Sequence, residues 1–170
     1  NIDVKTIDDR SILEAAAALL TADVSTPGRV GGAPGAGVLV VAQNGALKLI
    51  TLRYRMKDVA VKGATAPFAV GDDAFPAGSF IIPDSDRARQ EVEKLGLLAT
   101  AIASAPAEAQ AVDVELPRIA MYTTWANTEK VGWVRLAFDR FEIPYDLIHK
   151  DHVQPGARLR SKYDVIVVPH

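Results

Sequence analysis

The chain has 170 residues, with 19 Lys+Arg against 21 Asp+Glu, a formal charge of −2 that speaks against a nucleic-acid or anionic-membrane partner. Its apolar fraction of 49% is that of a globular protein, and no uninterrupted apolar run approaches the roughly 20 residues of a bilayer span. With no Cys, there can be no disulfide, thiolate metal site or Cys nucleophile. The chain opens at Asn1 rather than Met and stops at His170 directly after a strand-like run, so it reads as a piece of something longer.

In chain order, Ser11 and Glu14 fit a capping box, and Ile12, Ala16, Leu19 and Leu20 share one face, which predicts a helix over residues 8–22 packed on a sheet. Residues 27–37 carry five of the twelve glycines and two of the ten prolines and read as a connector. A phosphate cradle is the lesser reading, because such loops follow a strand and open a helix, whereas Val38–Val41 is a β-rich run after the glycines. Residues 44–56 fit a helical face of Leu47, Ile50 and Tyr54 or a strand alternating from Ile50 to Met56. The helix is favoured, capped by Asn44, since it would complete a β-α-β unit between Val38–Val41 and Val59–Val61. Residues 71–78 are dense in turn formers, and Ser79–Ile82 follows as a short buried strand closed by Pro83. Asp84 or Ser85 then caps a helix with Ala88, Val92 and Leu95 on one face, Glu91 one turn from Lys94, and Gly96 as the terminator.

Residues 104–117 have a linker composition, and the charge balance changes there, from 11 basic and 15 acidic groups over 1–117 to 8 and 6 over 118–170. The expected organisation is therefore two lobes: an α/β lobe over 1–110 carrying the Gly-rich loop at 27–37, a linker at 111–117, and the start of a doubly wound α/β domain, truncated, over 118–170. In the last part Ile119–Tyr122 is a strand, and Asn127 or Thr128 caps a helix to about Glu142 with Val131, Val134, Phe138 and Phe141 inward. Pro144 breaks that helix, Tyr145–Ile148 is a second strand, and Asp164–Val168 is a third, apolar on both faces like a central parallel strand. Such a short piece cannot bury a core with helices on both faces, so it must lean on the first lobe or on further sequence.

In an open parallel sheet, ligands bind beyond the carboxyl ends of the strands, which selects Thr123, Thr124, Trp125 and Glu129 after the first strand and His170 after the third as the candidate ligand lining. His149, Lys150, Asp151 and His152 follow the second strand. Helix capping by Thr and Asn and space filling by Trp125 are the plainer explanation of the first loop. Metal binding by His149, Asp151 and His152 needs a helix to align both rings and a further ligand, and this stretch leaves a strand, so solvated histidines are the plainer reading there. No metal and no catalytic residue is assigned. Ser79 lacks the Gly-x-Ser-x-Gly context of a nucleophile elbow, Asp72, Asp73, Asp84 and Asp86 sit where turns and helix starts explain them, and Arg158, Arg160 and Lys162 read as a solvated edge.

Leu116 to Trp125, Gly132 to Arg135, Phe141 to Tyr145 and Leu159 to Val168 resemble the carboxy-terminal part of large bacterial carboxypeptidase A-like zinc metallopeptidases, and Pro67-Phe68 with Phe75 to Ile82 resembles the segment just before it. The resemblance covers roughly residues 38–170. It implies that the end of the chain is a flavodoxin-like, class I glutamine amidotransferase-like fold, that the protein is secreted or periplasmic, and that zinc belongs to an upstream peptidase domain with which this chain is a partner. The family's His-x-x-Glu pair with a later His and a catalytic Glu has no counterpart here, so the expectation is a non-catalytic accessory segment without a cofactor of its own. The alternatives are a module binding a small molecule or peptide at the carboxyl edge, and part of an amidotransferase-like hydrolase whose nucleophile lies beyond residue 170.

Overall fold

The computed structural model describes residues 4–22, 24, 26–35 and 37–169 and shows a mixed α/β fold. The first sheet collects β1 (Arg29–Gly31), β2 (Val38–Val41), β3 (Lys62–Gly63), β6 (Phe80–Pro83), β7 (Leu98–Ile102) and β8 (Val112–Asp113) in the order β1-β7-β2-β6-β3-β8. Strand β2 runs antiparallel to both β6 and β7, β3 is antiparallel to β6 and β8, and only β1 on β7 is parallel. Consequently β2 and β3 point the same way with β6 between them, and β6 and β7 point the same way with β2 between them. Helix α1 (Lys48–Arg55) makes the first of these crossovers and α2 (Asp86–Lys94) the second, so two split β-α-β units interlock.

That arrangement corrects the expected parallel sheet for this lobe. The helix over 48–55 forms as anticipated, but its β-α-β unit ends at Lys62–Gly63 and is opened by an intervening strand. Val61 is instead buried, and its carbonyl accepts from the Val114 amide. Nor does Asn44 cap α1, whose cap position is Leu47 with no side-chain bond. The buried face of α1 is Leu49, Leu52 and Met56, whereas Leu47 and Ile50 of the expected face are exposed, because the helix starts later and is rotated relative to the sheet.

The apolar run of β2 follows from cover on both faces. Leu39 and Val41 pack with Ile82 and Ala99 against Leu49, Leu52 and Met56 of α1 and Ala88 and Val92 of α2. Val40 and Ile81 face the other way, onto Phe68, Phe75 and Ala109. That second cover is a hairpin that runs into the stretch 71–78 read as turns: β4 (Phe68–Val70) and β5 (Asp73–Phe75) join through Gly71 and Asp72, and their two phenyl rings stack at 5.3 Å. Gly71, with φ 58°, supplies the positive φ that such a tight loop needs at its first position. Helix α2 matches its sequence signals throughout: Ser85 Oγ accepts from the Ala88 amide, Ala88 and Val92 are buried, and Gly96 follows at φ 70°.

Two segments depart further. Only Arg10–Glu14 of the expected first helix turns, as a short 3-10 segment in which Asp9 rather than Ser11 accepts the capping bond. Ala15 is already extended, and Ile12, Leu19 and Leu20 are exposed, so no surface supplies the burial that a short helix requires. The Gly-rich stretch is not wholly a connector, since it contains β1, and Gly37 (φ 120°) passes so close to β7 that a Cβ there would lie 2.2 Å from the Ala103 carbonyl oxygen.

The second sheet is parallel throughout, in the order β10-β9-β11, with β9 at Ile119–Tyr122, β10 at Asp146–Ile148 and β11 at Val165–Val167. Helix α3 (Thr128–Arg140) connects β9 to β10, and α4 (Leu159–Lys162) precedes β11. Of the four residues expected to face inward, Val131 is buried, and Val134, Phe138 and Phe141 are half-buried. Strand β11, expected to be central, is at the edge, with Val165 and Ile166 each 42% exposed; β9 takes the centre because both crossovers return beside it. Between the sheets, Val112 and Asp113 of the stretch read as a linker pair with β3 as β8.

The two sheets are joined at α1. The Thr51 hydroxyl, wholly buried, donates to the Phe141 carbonyl at 3.0 Å. Arg55 donates through Nε to Glu142 at 2.8 Å and through Nη1 to Glu91 of α2, also at 2.8 Å. Glu142 holds a left-handed conformation, φ 58°, while making this bond.

Two outcomes follow from this packing. Gly37→Ala should lower stability by more than about 2 kcal/mol, since it adds strain at positive φ to a backbone clash; urea unfolding followed by circular dichroism checks it. The Arg55 guanidinium, hydrogen-bonded to Glu91 and Glu142, holds both carboxyls below the usual range. That contribution is present above the ordinary carboxylate pKa of roughly 4.3 and is lost as pH falls through the lowered values. Arg55→Ala should therefore cost about 1 kcal/mol at pH 7 and progressively less as pH falls below the ordinary carboxylate range, which urea unfolding across a pH series tests.

Candidate functional site

Parallel pairing of β10 with β9 sets Ile148 beside Tyr122, so the loops that follow both strands leave the sheet at one edge. The Thr123 amide donates to the Ile148 carbonyl at 2.9 Å and prolongs that pairing by one step. Thr124 is extended, and Trp125–Asn127 then makes a 3-10 turn that runs directly into α3. On the other strand His149 is extended and Lys150–His152 makes a second 3-10 turn. This turn is closed from both sides: the His152 amide donates to the His149 carbonyl at 2.9 Å, and the His149 amide donates to His152 Nδ1 at 3.1 Å.

Between the two loops lies a cleft of about 380 Å³. Thr123, Thr124 and Trp125 line it together with Tyr122, His149, Lys150, Asp151 and His152. Glu129, on the exposed first turn of α3, is not among the lining residues, and His170 lies outside the described residues. Tyr122 was missed, although its place as the last residue of a strand whose carboxyl end meets the loops would have pointed to it. The second loop was recognised at this edge but was not joined to the first, because register between strands is not a local signal.

The chemistry of the lining is mixed. Trp125 is 96% exposed, an indole held by backbone geometry rather than by packing. Lys150 supplies donors, Asp151 acceptors, and the two Thr hydroxyls both. Among the described residues neither the Lys150 ammonium nor the Asp151 carboxylate forms an ion pair. The His149 and His152 rings stand 5.8 Å apart and tilted by 41°, and one His152 nitrogen is already an acceptor for a backbone amide. Among the described residues no three His, Asp or Glu side chains are gathered as metal ligands would be.

A cleft of similar size opens at the opposite edge of the same sheet, lined by Arg118, Tyr145, Asp146, Lys162 and Tyr163 among others. Three of its polar residues are already paired. Arg118 grips Asp164 through Nε at 3.0 Å and Nη2 at 2.8 Å and holds that carboxyl down at about 2, while the Tyr163 hydroxyl donates to Asp146 at 2.9 Å. Two further residues of interest from the sequence are likewise occupied. Ser79 is buried, its hydroxyl donating to the Pro76 carbonyl and accepting from the Gln43 amide, and Asp84 pairs with Arg89 at 2.7 Å. Arg158, Arg160 and Lys162 are exposed on and beside α4.

Comparison with protein-family models, with curated proteins and with solved structures finds no match for this chain. Among the described residues, no helix is long and apolar enough to cross a membrane.

Because Trp125 packs against so little, Trp125→Ala should change unfolding free energy by less than about 0.5 kcal/mol, against the 3–5 kcal/mol of a buried Trp. Paired urea titrations of the two proteins measure the difference.

Proposed function

We propose that this chain is a non-catalytic α/β accessory segment whose working surface is the carboxyl-edge cleft of the second sheet, where it binds a small molecule or peptide. The observation that carries this reading is the convergence of Thr123, Thr124 and Trp125 with His149, Lys150, Asp151 and His152 around about 380 Å³, at the edge where parallel sheets take their ligands. That volume falls inside the roughly 300–1,000 Å³ of small-molecule clefts.

The wider setting is proposed from the resemblance of residues 38–170 to the carboxy-terminal part of carboxypeptidase A-like zinc metallopeptidases. On that reading peptide hydrolysis, and the zinc that drives it, belong to an upstream domain of a secreted or periplasmic parent, and this chain is that domain's neighbour. The strand order β10-β9-β11 supports the accompanying fold proposal, since a flavodoxin-like or amidotransferase-like sheet also begins with its first strand between its second and third.

Two measurements test the proposal. The Trp125 emission should change saturably with at least one of a panel of sugars, amino acids and phosphates; indifference to the whole panel overturns the binding reading. Incubated with zinc, the purified chain should release no amino acid from carboxypeptidase substrates, and stoichiometric zinc uptake accompanied by turnover overturns the non-catalytic reading.

A further inference from the structure

We infer that the ligand class of this cleft is a neutral saccharide, an inference that rests on the binding function proposed above. A pyranose ring offers two unlike surfaces: a flat face of C–H groups, and a rim of hydroxyls each of which donates and accepts. A site for it therefore needs an exposed flat aromatic beside mixed donors and acceptors, and no large excess of charge.

The cleft meets each requirement with particular groups. Trp125, 96% exposed, presents an indole whose face is free for stacking, beside the polar groups of both loops. Lys150 only donates, Asp151 only accepts, and Thr123 and Thr124 do both, so the directional needs of a hydroxyl rim are covered from both loops. With the imidazoles counted as neutral, the lining carries one cation and one anion and no net charge.

The same inventory disfavours other classes. An anion such as phosphate or carboxylate would meet Lys150, but it would also meet the Asp151 carboxylate at the next position. The glycines that let backbone amides close around a phosphate are elsewhere in the chain, in residues 28–37 of the first sheet's lobe. A divalent cation would need His152 Nδ1 or further carboxylates, and the former is already taken by the His149 amide.

The chain has two Trp, so Trp133→Phe leaves Trp125 as the sole indole; Trp133 lies on the exposed side of α3 and does not line the cleft. In that variant, with an unchanged circular dichroism spectrum as the control for folding, the emission is titrated with glucose, N-acetylglucosamine and cellobiose, and separately with acetate, inorganic phosphate and glycine. The expected result is a saturable change with at least one saccharide, with a Kd that shifts less than twofold between 0.05 and 0.5 M NaCl. Binding by isothermal calorimetry should weaken at least tenfold in Trp125→Ala and in Asp151→Ala. A response confined to acetate or phosphate and suppressed by salt, or confined to glycine, overturns the saccharide assignment while the binding function stands. Silence toward all six probes overturns the saccharide assignment and counts against the binding function as well.

Discussion

The register of β10 on β9 is the constraint from which the candidate site follows. Asp146, Leu147 and Ile148 pair in order with Ala120, Met121 and Tyr122, and neighbouring strands in a sheet lie only about 4.8 Å apart. The carboxyl ends of the two strands are therefore adjacent, and whatever leaves them must share one edge. A shift of this pairing by one residue would turn Ala120 and Met121, both buried, to the opposite faces and separate the loops. The core of the small sheet and the alignment of its cleft are thus secured by one and the same set of hydrogen bonds.

That small sheet is not self-sufficient. Three short strands and two helices bury few side chains, chiefly Ala120, Met121, Val131 and Ile148, and a two-sided sheet of this size lacks the interior to stand alone. The first sheet supplies support through α1, whose Thr51 hydroxyl satisfies the Phe141 carbonyl just past the end of α3 and whose Arg55 draws Glu142 and Glu91 together. These contacts act on the carboxyl end of α3, and the cleft sits at its amino end. The helix is anchored far from the loop that carries Trp125, which leaves that loop's side chains uncommitted to the junction.

Elements specified by local chemistry were legible in the sequence. Helix α2 shows every signal within twelve residues, from the Ser85 cap to the αL Gly96, and β2 and β9 are short apolar runs bounded by turns. Elements decided by distant partners were not. Strand β7 has the sequence Leu-Ala-Thr-Ala-Ile, with weak intrinsic preference for strand, and exists because β2 and β1 flank it. Residues 8–22 carry capping and periodicity signals yet form only one turn, because periodicity states which face would be buried without providing anything to bury it. Apolarity on both faces implied a central place for β11, but sheet order is set by the handedness and length of the crossovers, not by the strand itself. The candidate site divides in the same way: each loop was readable as a carboxyl-edge loop, and only the register brought them together.

The two clefts of the small sheet show why exposed polarity alone is a poor guide to binding. At the amino edge, Arg118, Asp164, Tyr163 and Asp146 are more strongly charged than anything opposite them, but they are joined in two closed pairs. A ligand there would have to break charge-assisted bonds before making its own, and each such bond is worth about 1.5–3 kcal/mol. At the carboxyl edge the Lys150 and Asp151 side chains are unspent, because the Lys150–His152 turn is closed by backbone bonds and by the His152 ring and leaves those two side chains out of its bonding. The first edge stabilises the fold; the second is held in shape by a framework that uses the His152 ring but not the Lys150 and Asp151 side chains, which is the condition under which a surface can recognise something else.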